Sequence, residues 1–558
     1  MLKKFADPKR LAILFAILLV AAGAVTYSLY SRPGPGTILS LPTTTSTSVT
    51  RIATTTLLRS GTTSTIATAT PGSPKDILEL VNREILVGHI TKLASPELRG
   101  RLSGDEGQYL AAKYLADEFK SYGLKPVGND GTYFQYFEIS FWQAKPPTSL
   151  RMISPSGPTW SAGDIVVFTY SGSTNATTQL AFVGYGITLP EKNYDDYANV
   201  NVQGKVVLLF RHGPRDDESW ENQYGVWKFG YKAVNAFNHG AVGMMLVNDY
   251  NHQATPTGGA TLSTEAYRTT FGAVWADRSI GEQMIRAAGK DLAELQKQID
   301  SNLSAASLVT NVSIQLQVTT EFDPARKTMN VVGAIEGSDP ALKSEVVIVS
   351  GHYDHLGVDS SGAIYYGADD DASGTAGVLE SARVLALTAA KSPFRRTIFF
   401  VGWSGEEEGL LGSRYYVAHP LYSLEKTVAV IQMDMIGVGS FGLRVYQGRS
   451  FPSLYERLRL AANLVGLPIE DARDLNASDH APFAAAGVPA VLLFTTGDHP
   501  DYHTPRDTAD KIDGNLLAAV TKVAASAAWS YAIDIPIAPT PLIISIAFSI
   551  VVSVPRRL

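Results

Sequence analysis

Five short segments concentrate carboxylates and histidines in patterns that suit metal chemistry. The first is Gly351-His352-Tyr353-Asp354, where an Asp two residues beyond a His can accept the second imidazole N–H, an arrangement that orients a ligating ring. The second, Gly367-Ala368-Asp369-Asp370-Asp371-Ala372-Ser373-Gly374, places three acids between glycines just before an apolar helical stretch. One Asp there can cap the helix. Three together repel one another by about a few kcal/mol at close range unless a cation sits among them. The third, Gly405-Glu406-Glu407-Glu408-Gly409, lies between a buried-type strand ending at Trp403 and Leu410-Leu411, so one Glu can bind metal while its neighbour stays free as a base. Asp434 ends the apolar run Val430-Ile431-Gln432-Met433, where an unpaired carboxylate is costly. His503 closes the set in Asp501-Tyr502-His503-Thr504-Pro505. Hard oxygen donors with imidazole suit zinc, with cobalt or manganese as substitutes. Two such ions about 3.5–4 Å apart can share a carboxylate and strongly acidify a water. The chain has no cysteine, which removes thiolate ligands and a thiol nucleophile. Ser404 lies in Gly402-Trp403-Ser404-Gly405-Glu406, where Glu406 replaces the closing glycine of a nucleophile elbow, so a serine hydrolase is rejected.

The elements that must position these residues alternate in the α/β manner. Apolar runs predict strands over 346–350, 397–403, 428–433 and 488–494, with helices over 375–387 and 515–531. The candidate ligands then fall at or just past the carboxyl ends of strands, where open α/β sheets place their sites. Helical spacing over 76–93 and 107–122, the latter with Leu110, Ala111, Tyr114, Leu115 and Phe119 on one stripe, predicts core-facing helices. Between about Thr159 and Ser313 the texture changes to short runs such as Val206-Val207-Leu208-Leu209-Phe210 and Gly243-Met244-Met245-Leu246-Val247, punctuated by Gly and Asn. A second, β-rich domain is expected there. Its His212, His239 and His252 show no tight ligand-like spacing with a carboxylate and are expected to be structural.

The blocks GHYDHLG, GADDDASG, SGEEEGLLGS, MDMIG and DYHTPRDT, in this order, resemble the zinc aminopeptidase family M28. The resemblance implies a mixed, mainly parallel sheet flanked by helices. It further implies two Zn2+ per chain held by His352, Asp370, Glu407, Asp434 and His503, with Asp370 bridging. Glu406 would be the general base acting on a metal-bridging water, Asp354 would orient His352, and Tyr502 is a weaker candidate for polarising the scissile carbonyl. Arg99-Gly100-Arg101 with Gly104 also resembles the family's N-terminal block. Phe182-Val183-Gly184-Tyr185-Gly186, Gly204-Lys205-Val206-Val207 and Asn238-His239-Gly240-Ala241 resemble an inserted protease-associated domain. The implied plan is a peptidase domain in two pieces, 75–158 and 319–533, around an insert at 159–318. Peptides are the implied substrates. Aminopeptidase action is favoured, with Asp369 or Asp371 as attractors of a substrate amino group; a carboxypeptidase of the same fold stays open. A catalytically silent, receptor-like ectodomain is disfavoured because Glu406 and every ligand are present.

Bulk properties frame this reading. With 558 residues, 45% of them hydrophobic, the chain is too long for one core. Its net charge of -6 and lack of a long basic run argue against nucleic acid. Lys3, Lys4, Lys9 and Arg10 precede an uncharged apolar run from Leu11 to Tyr30, so 1–32 is expected to be a membrane anchor or a cleaved signal that places the remainder outside the cytoplasm. The Ser/Thr/Pro-rich 33–74 reads as a solvated linker. The hydrophobic 534–558 reads as a tail or a second span, with Pro536, Pro539 and Pro541 weighing against the span. Oligomeric state is left open.

Overall fold

The computed structural model describes residues 74–254 and 266–534. The expected anchor, linker and hydrophobic tail lie outside them, apart from Pro74 and Asp534. Among the described residues no helix is long and apolar enough to cross a membrane.

Four strands carry continuous apolar sequence because both of their faces are covered. These are Val346–His352, Thr397–Trp403, Thr427–Met433 and Ala490–Thr496, all mutually parallel where they pair. Helices Ala372–Lys391, Gly514–Ala532, Arg83–Leu93 and Glu106–Ser121 pack one face into a single large core. Trp403, Tyr416 and Phe483 belong to a smaller core with Val346, Ile348, Phe399 and Val401. The helix expected over 76–93 is two helices, Pro74–Leu80 and Arg83–Leu93. The break falls at Asn82, whose side chain accepts from Ile85 N at 3.0 Å and caps the second. Among the elements that escape the apolar-run reading are strand Ser440–Tyr446, which lies between Ala490–Thr496 and the short edge strand Ile469–Asp471, and helix Pro452–Val465.

Val346–His352 lies between Thr397–Trp403 on one side and Thr427–Met433 on the other. The chain leaves this strand for one neighbour and later returns to the opposite one. Its carboxyl end is therefore a switch point, with a crevice between diverging loops.

The insert is not joined through linkers. Two long strands, Phe134–Ser154 and Leu308–Ile335, pair antiparallel from Phe134↔Val331 to Ser154↔Ser313, and carry the sheet out of one core into another. Beyond them run Thr174–Phe182, then the parallel strands Val206–Phe210, Gly243–Val247 and Gly272–Ala276, and finally Ile165–Val167. The expectation of a β-rich insert needs correcting, since the region also holds four helices: Glu218–Tyr224, Phe229–Asn238, Arg278–Ala287 and Leu292–Asn302. Their apolar faces cover the parallel strands, whose fully buried sequence had read as strand without revealing its cover.

Candidate metal centre

The switch point gathers the acids and histidines. His352 is the last residue of its strand and fully buried, Asp434 directly follows Thr427–Met433, and Glu406 and Glu407 follow Thr397–Trp403. Asp370 enters just before helix Ala372–Lys391, and His503 comes from the loop after Ala490–Thr496. One group forms around His352 Nε2, which is 3.3 Å from Asp370 Oδ1 and 3.7 Å from Asp434 Oδ1. A second forms around His503 Nε2, 3.1 Å from Asp370 Oδ2 and 3.0 Å from Glu407 Oε2. Asp370 thus presents one oxygen to each group, the disposition a bridging carboxylate needs. Tyr502 stacks on the His503 ring, centroids 3.8 Å apart, with about half of its surface exposed.

The three consecutive aspartates divide their work. Asp371 caps the following helix by accepting from Gly374 N at 2.7 Å. It also accepts from His352 N and Met435 N, tying helix start and two strand ends together. The approach is close enough that a Cβ at Gly374 would lie 2.3 Å from Met433 O. Asp369 accepts from Gly437 N at 2.8 Å, and its other oxygen lies 2.6 Å from His499 Nδ1. Both carboxylates are buried and engaged, which corrects the expectation that either is free to attract a substrate amino group. Asp507 accepts from the N–H groups of Asp369 and Asp370 and holds the loop from below. Arg101 is fully buried and donates to the carbonyls of Leu93, Tyr353, Tyr366 and Gly367. Its cation faces Asp354, Asp507, Asp370 and Asp371, offsetting part of their repulsion.

Two further residues surround the glutamate pair. Asp354 Oδ1 stands 3.7 Å from His352 Nδ1, and its oxygens accept from Glu406 N at 3.3 Å and Glu407 N at 3.4 Å. Asp354 thus faces the His352 ring and also aims the Glu pair. His355, three residues after His352, adds an imidazole that the sequence pattern does not single out. Its Nδ1 lies 2.7 Å from Glu407 Oε1 and 3.8 Å from Asp370 Oδ2, with its ring centroid 5.9 Å from that of His503. A partner behind a ligating carboxylate typically contributes about 10- to 100-fold in metal affinity or activity. His355→Ala is expected to weaken zinc binding by about that factor, read by competition with a chelator; unchanged affinity would remove the supporting role.

The donor set fits divalent cations. His352 Nδ1 and Nε2, Asp370 Oδ2 and His503 Nε2 are buried and make no hydrogen bond. Buried polar atoms without partners are costly, and three of these, His352 Nε2, Asp370 Oδ2 and His503 Nε2, meet in the crevice, where ions among them would satisfy them, while His352 Nδ1 faces Asp354. Electrostatics separates the two adjacent glutamates. Burial raises the Glu406 carboxyl well above its usual range, and Glu407, Asp434 and Asp479 reinforce this against the pull of His352. For Glu407, burial and Asp370 also push upward, but His355 and His503 prevail and hold it below its usual value. Burial alone would lower His503, yet Asp370 and Glu407 bring it up to about 10.

A cleft of about 490 Å³ opens from Glu407 and His503. Its walls are largely apolar, with Ile139 and Trp142 from the long ribbon, Val166 from the insert, and Leu356 and Val358 beyond His355. The insert therefore forms part of the approach to the centre.

The three insert histidines divide. His239 stacks on Tyr197 with centroids 4.1 Å apart, as a structural ring. His212 and His252, which show no tight ligand-like spacing with a carboxylate in the sequence, both reach the buried Asp249 in the fold, at 2.7 and 2.8 Å.

Comparison with known proteins adds a family and a fold. Residues 330–528 match the model of peptidase family M28. A probable leucine aminopeptidase 2 from Aspergillus oryzae is 26% identical over 484 residues, covering 80% of this chain and 82% of that protein. Aminopeptidase YwaD of Bacillus subtilis is 31% identical over 202 residues, 34% of this chain and 42% of that one. Among solved structures, an aminopeptidase from Aneurinibacillus sp. strain AM-1 aligns with a TM-score of 0.57 at 23% identity, covering 82% of this chain and 96% of its own. The zinc aminopeptidase BSAP from Bacillus subtilis aligns at 0.56 and 20% identity, over 81% and 95%. At these identities the structural matches establish the mainly parallel, helix-flanked fold.

Proposed function

The chain belongs to peptidase family M28 and is a hydrolase acting on peptides, and on that premise we propose that it is an exported aminopeptidase with two zinc ions at the switch-point crevice. The observation that carries the reading is Asp370, whose two oxygens face two separate His-and-carboxylate groups. His352, Asp370 and Asp434 would hold one ion, and Asp370, Glu407 and His503 the other. When bound, such ions acidify water and polarise a carbonyl. Glu406 stands beside the cluster with a carboxyl held unusually basic by burial and by its acidic neighbours, suited to accept a proton from the attacking water and return it to the leaving amine. Asp354 aims the backbone of the Glu pair, and Tyr502 flanks the entrance. The names of the relatives favour action at the amino end of the peptide, and the basic-then-apolar start of the sequence favours export. Residues 159–318 are read as a protease-associated insert. The test is a panel of aminoacyl reporters and N-blocked peptides, with and without zinc. Cleavage confined to blocked peptides would overturn the aminopeptidase reading.

The cleft gives the insert a role in selectivity. Val166 is half-buried on its wall, so Val166→Asp puts a charge where apolar substrate surface would pack. kcat/KM for substrates with large apolar residues should fall by about tenfold or more, while a minimal substrate changes little. Equal loss on every substrate would show that the insert does not read side chains.

A further inference from the structure

We propose that His212, Asp216, Asp249 and His252 form a second, separate cation site in the insert, taking one divalent ion of the zinc class. The four side chains each offer a donor atom, and these atoms lie within 4.8 Å of one another. Asp249 sits at the base with its side chain fully buried, Oδ2 2.7 Å from His212 Nδ1 and Oδ1 2.8 Å from His252 Nδ1. Asp216 Oδ1 closes the group at 3.5 Å from His252 Nδ1. That oxygen is buried and has no hydrogen-bond partner, although Asp216 Oδ2 accepts from Asn251 Nδ2 at 2.7 Å. A buried carboxylate oxygen that faces His252 without a hydrogen bond is the observation that a mere His–Asp–His pin leaves unexplained.

The donor set matches the ion. Two imidazoles and two carboxylates are ordinary zinc chemistry, and the two negative charges balance a divalent cation. Tetrahedral bonds of about 2.0–2.1 Å separate neighbouring donors by roughly 3.3 Å, a spacing within reach of four donor atoms that all lie within 4.8 Å of one another. Loading moves each imidazole proton from Nδ1 to Nε2, and both rings stay neutral.

The site joins two loops at the carboxyl ends of adjacent parallel strands, Val206–Phe210 and Gly243–Val247. Both loops are also held independently. Arg215 donates to Asp300 O and Ser301 O, Tyr250 N donates to Gln296 Oε1, and Arg278 donates to Asp249 O. Substitution at the partly exposed rim should therefore leave the insert folded. Asp216 and His252 are that rim.

The test is zinc content per chain by elemental analysis of the full-length protein, after equilibration with zinc and removal of the excess. Wild type should carry one equivalent more than Asp216→Asn/His252→Ala, with hydrolysis of a minimal substrate by the double variant within about twofold of wild type. His252→Ala alone is the second variant, and it should also lose that equivalent. Asp370→Asn, altered at the switch-point centre, should retain it, so failure of the centre and failure of this site read out separately. Equal zinc content in wild type and both rim variants would overturn the proposal and leave a hydrogen-bonded pin.

Discussion

Glu406→Gln is expected to keep the full metal content of the switch-point centre while kcat falls by about two to four orders of magnitude. The substitution preserves shape and hydrogen bonding but cannot accept the proton. Glu407→Gln should instead lose or weaken one ion. The two residues are adjacent and chemically identical, so environment alone separates them: Glu407 is clamped between His355 and His503, at 2.7 and 3.0 Å. Glu406 is raised by burial and surrounding carboxylates and has no such clamp. Metal stoichiometry measured beside kcat in both variants decides the matter. A Glu406→Gln protein that had lost an ion, beside a Glu407→Gln protein that kept its metals and merely slowed, would reverse the assignment of base and ligand.

The second large effect is expected at Asp370. Burial alone would raise its carboxyl, but the facing His352 and His503, with His355 behind, hold it well below the usual carboxylate range. Each oxygen faces a different imidazole, at 3.3 and 3.1 Å, so Asp370→Asn replaces one of two donors by an amide nitrogen that cannot ligate. Metal content at the centre should fall by one or both ions and hydrolysis should be lost. Asp371→Asn makes an informative contrast. Asp371 accepts from three backbone N–H groups and serves as helix cap and loop tie, so its loss should lower stability more than zinc affinity. A zinc content unchanged in Asp370→Asn, read beside thermal unfolding of both variants, would remove the bridging role.

The parts of the centre that were legible in the sequence share a physical reason. His352, Asp434 and the Glu pair each follow a short, mainly apolar run, and runs of that length bounded by Gly and polar residues read as buried strands, whose ends meet at one edge of the sheet. Side-chain direction was not legible in the same way. Nothing in GADDDASG says that the third Asp turns back to cap while the first turns to His499, because that depends on how helix Ala372–Lys391 leaves the loop. His355 sits in the same segment as His352, yet its role emerges only once Glu407 arrives from a neighbouring strand. His212 and His252 are forty residues apart, and pairing of the two parallel strands before them brings them to Asp249. The helices of the insert were missed for a different reason: its buried strands gave the stronger signal, and the intervening helices are short. Strand Ser440–Tyr446 alternates only weakly between buried and exposed positions, so it carries no clear period.

The central claim is that hydrolysis depends on two ions held at the switch point, and reconstitution of the metal-free protein tests it most directly. Hydrolysis of an aminoacyl reporter would be followed in the Asp216→Asn/His252→Ala background as zinc is returned in measured equivalents. The account predicts no activity after chelation, verified by elemental analysis, and a rise that reaches its plateau at two equivalents per chain, with cobalt able to replace zinc. Full activity in the verified metal-free protein would contradict it.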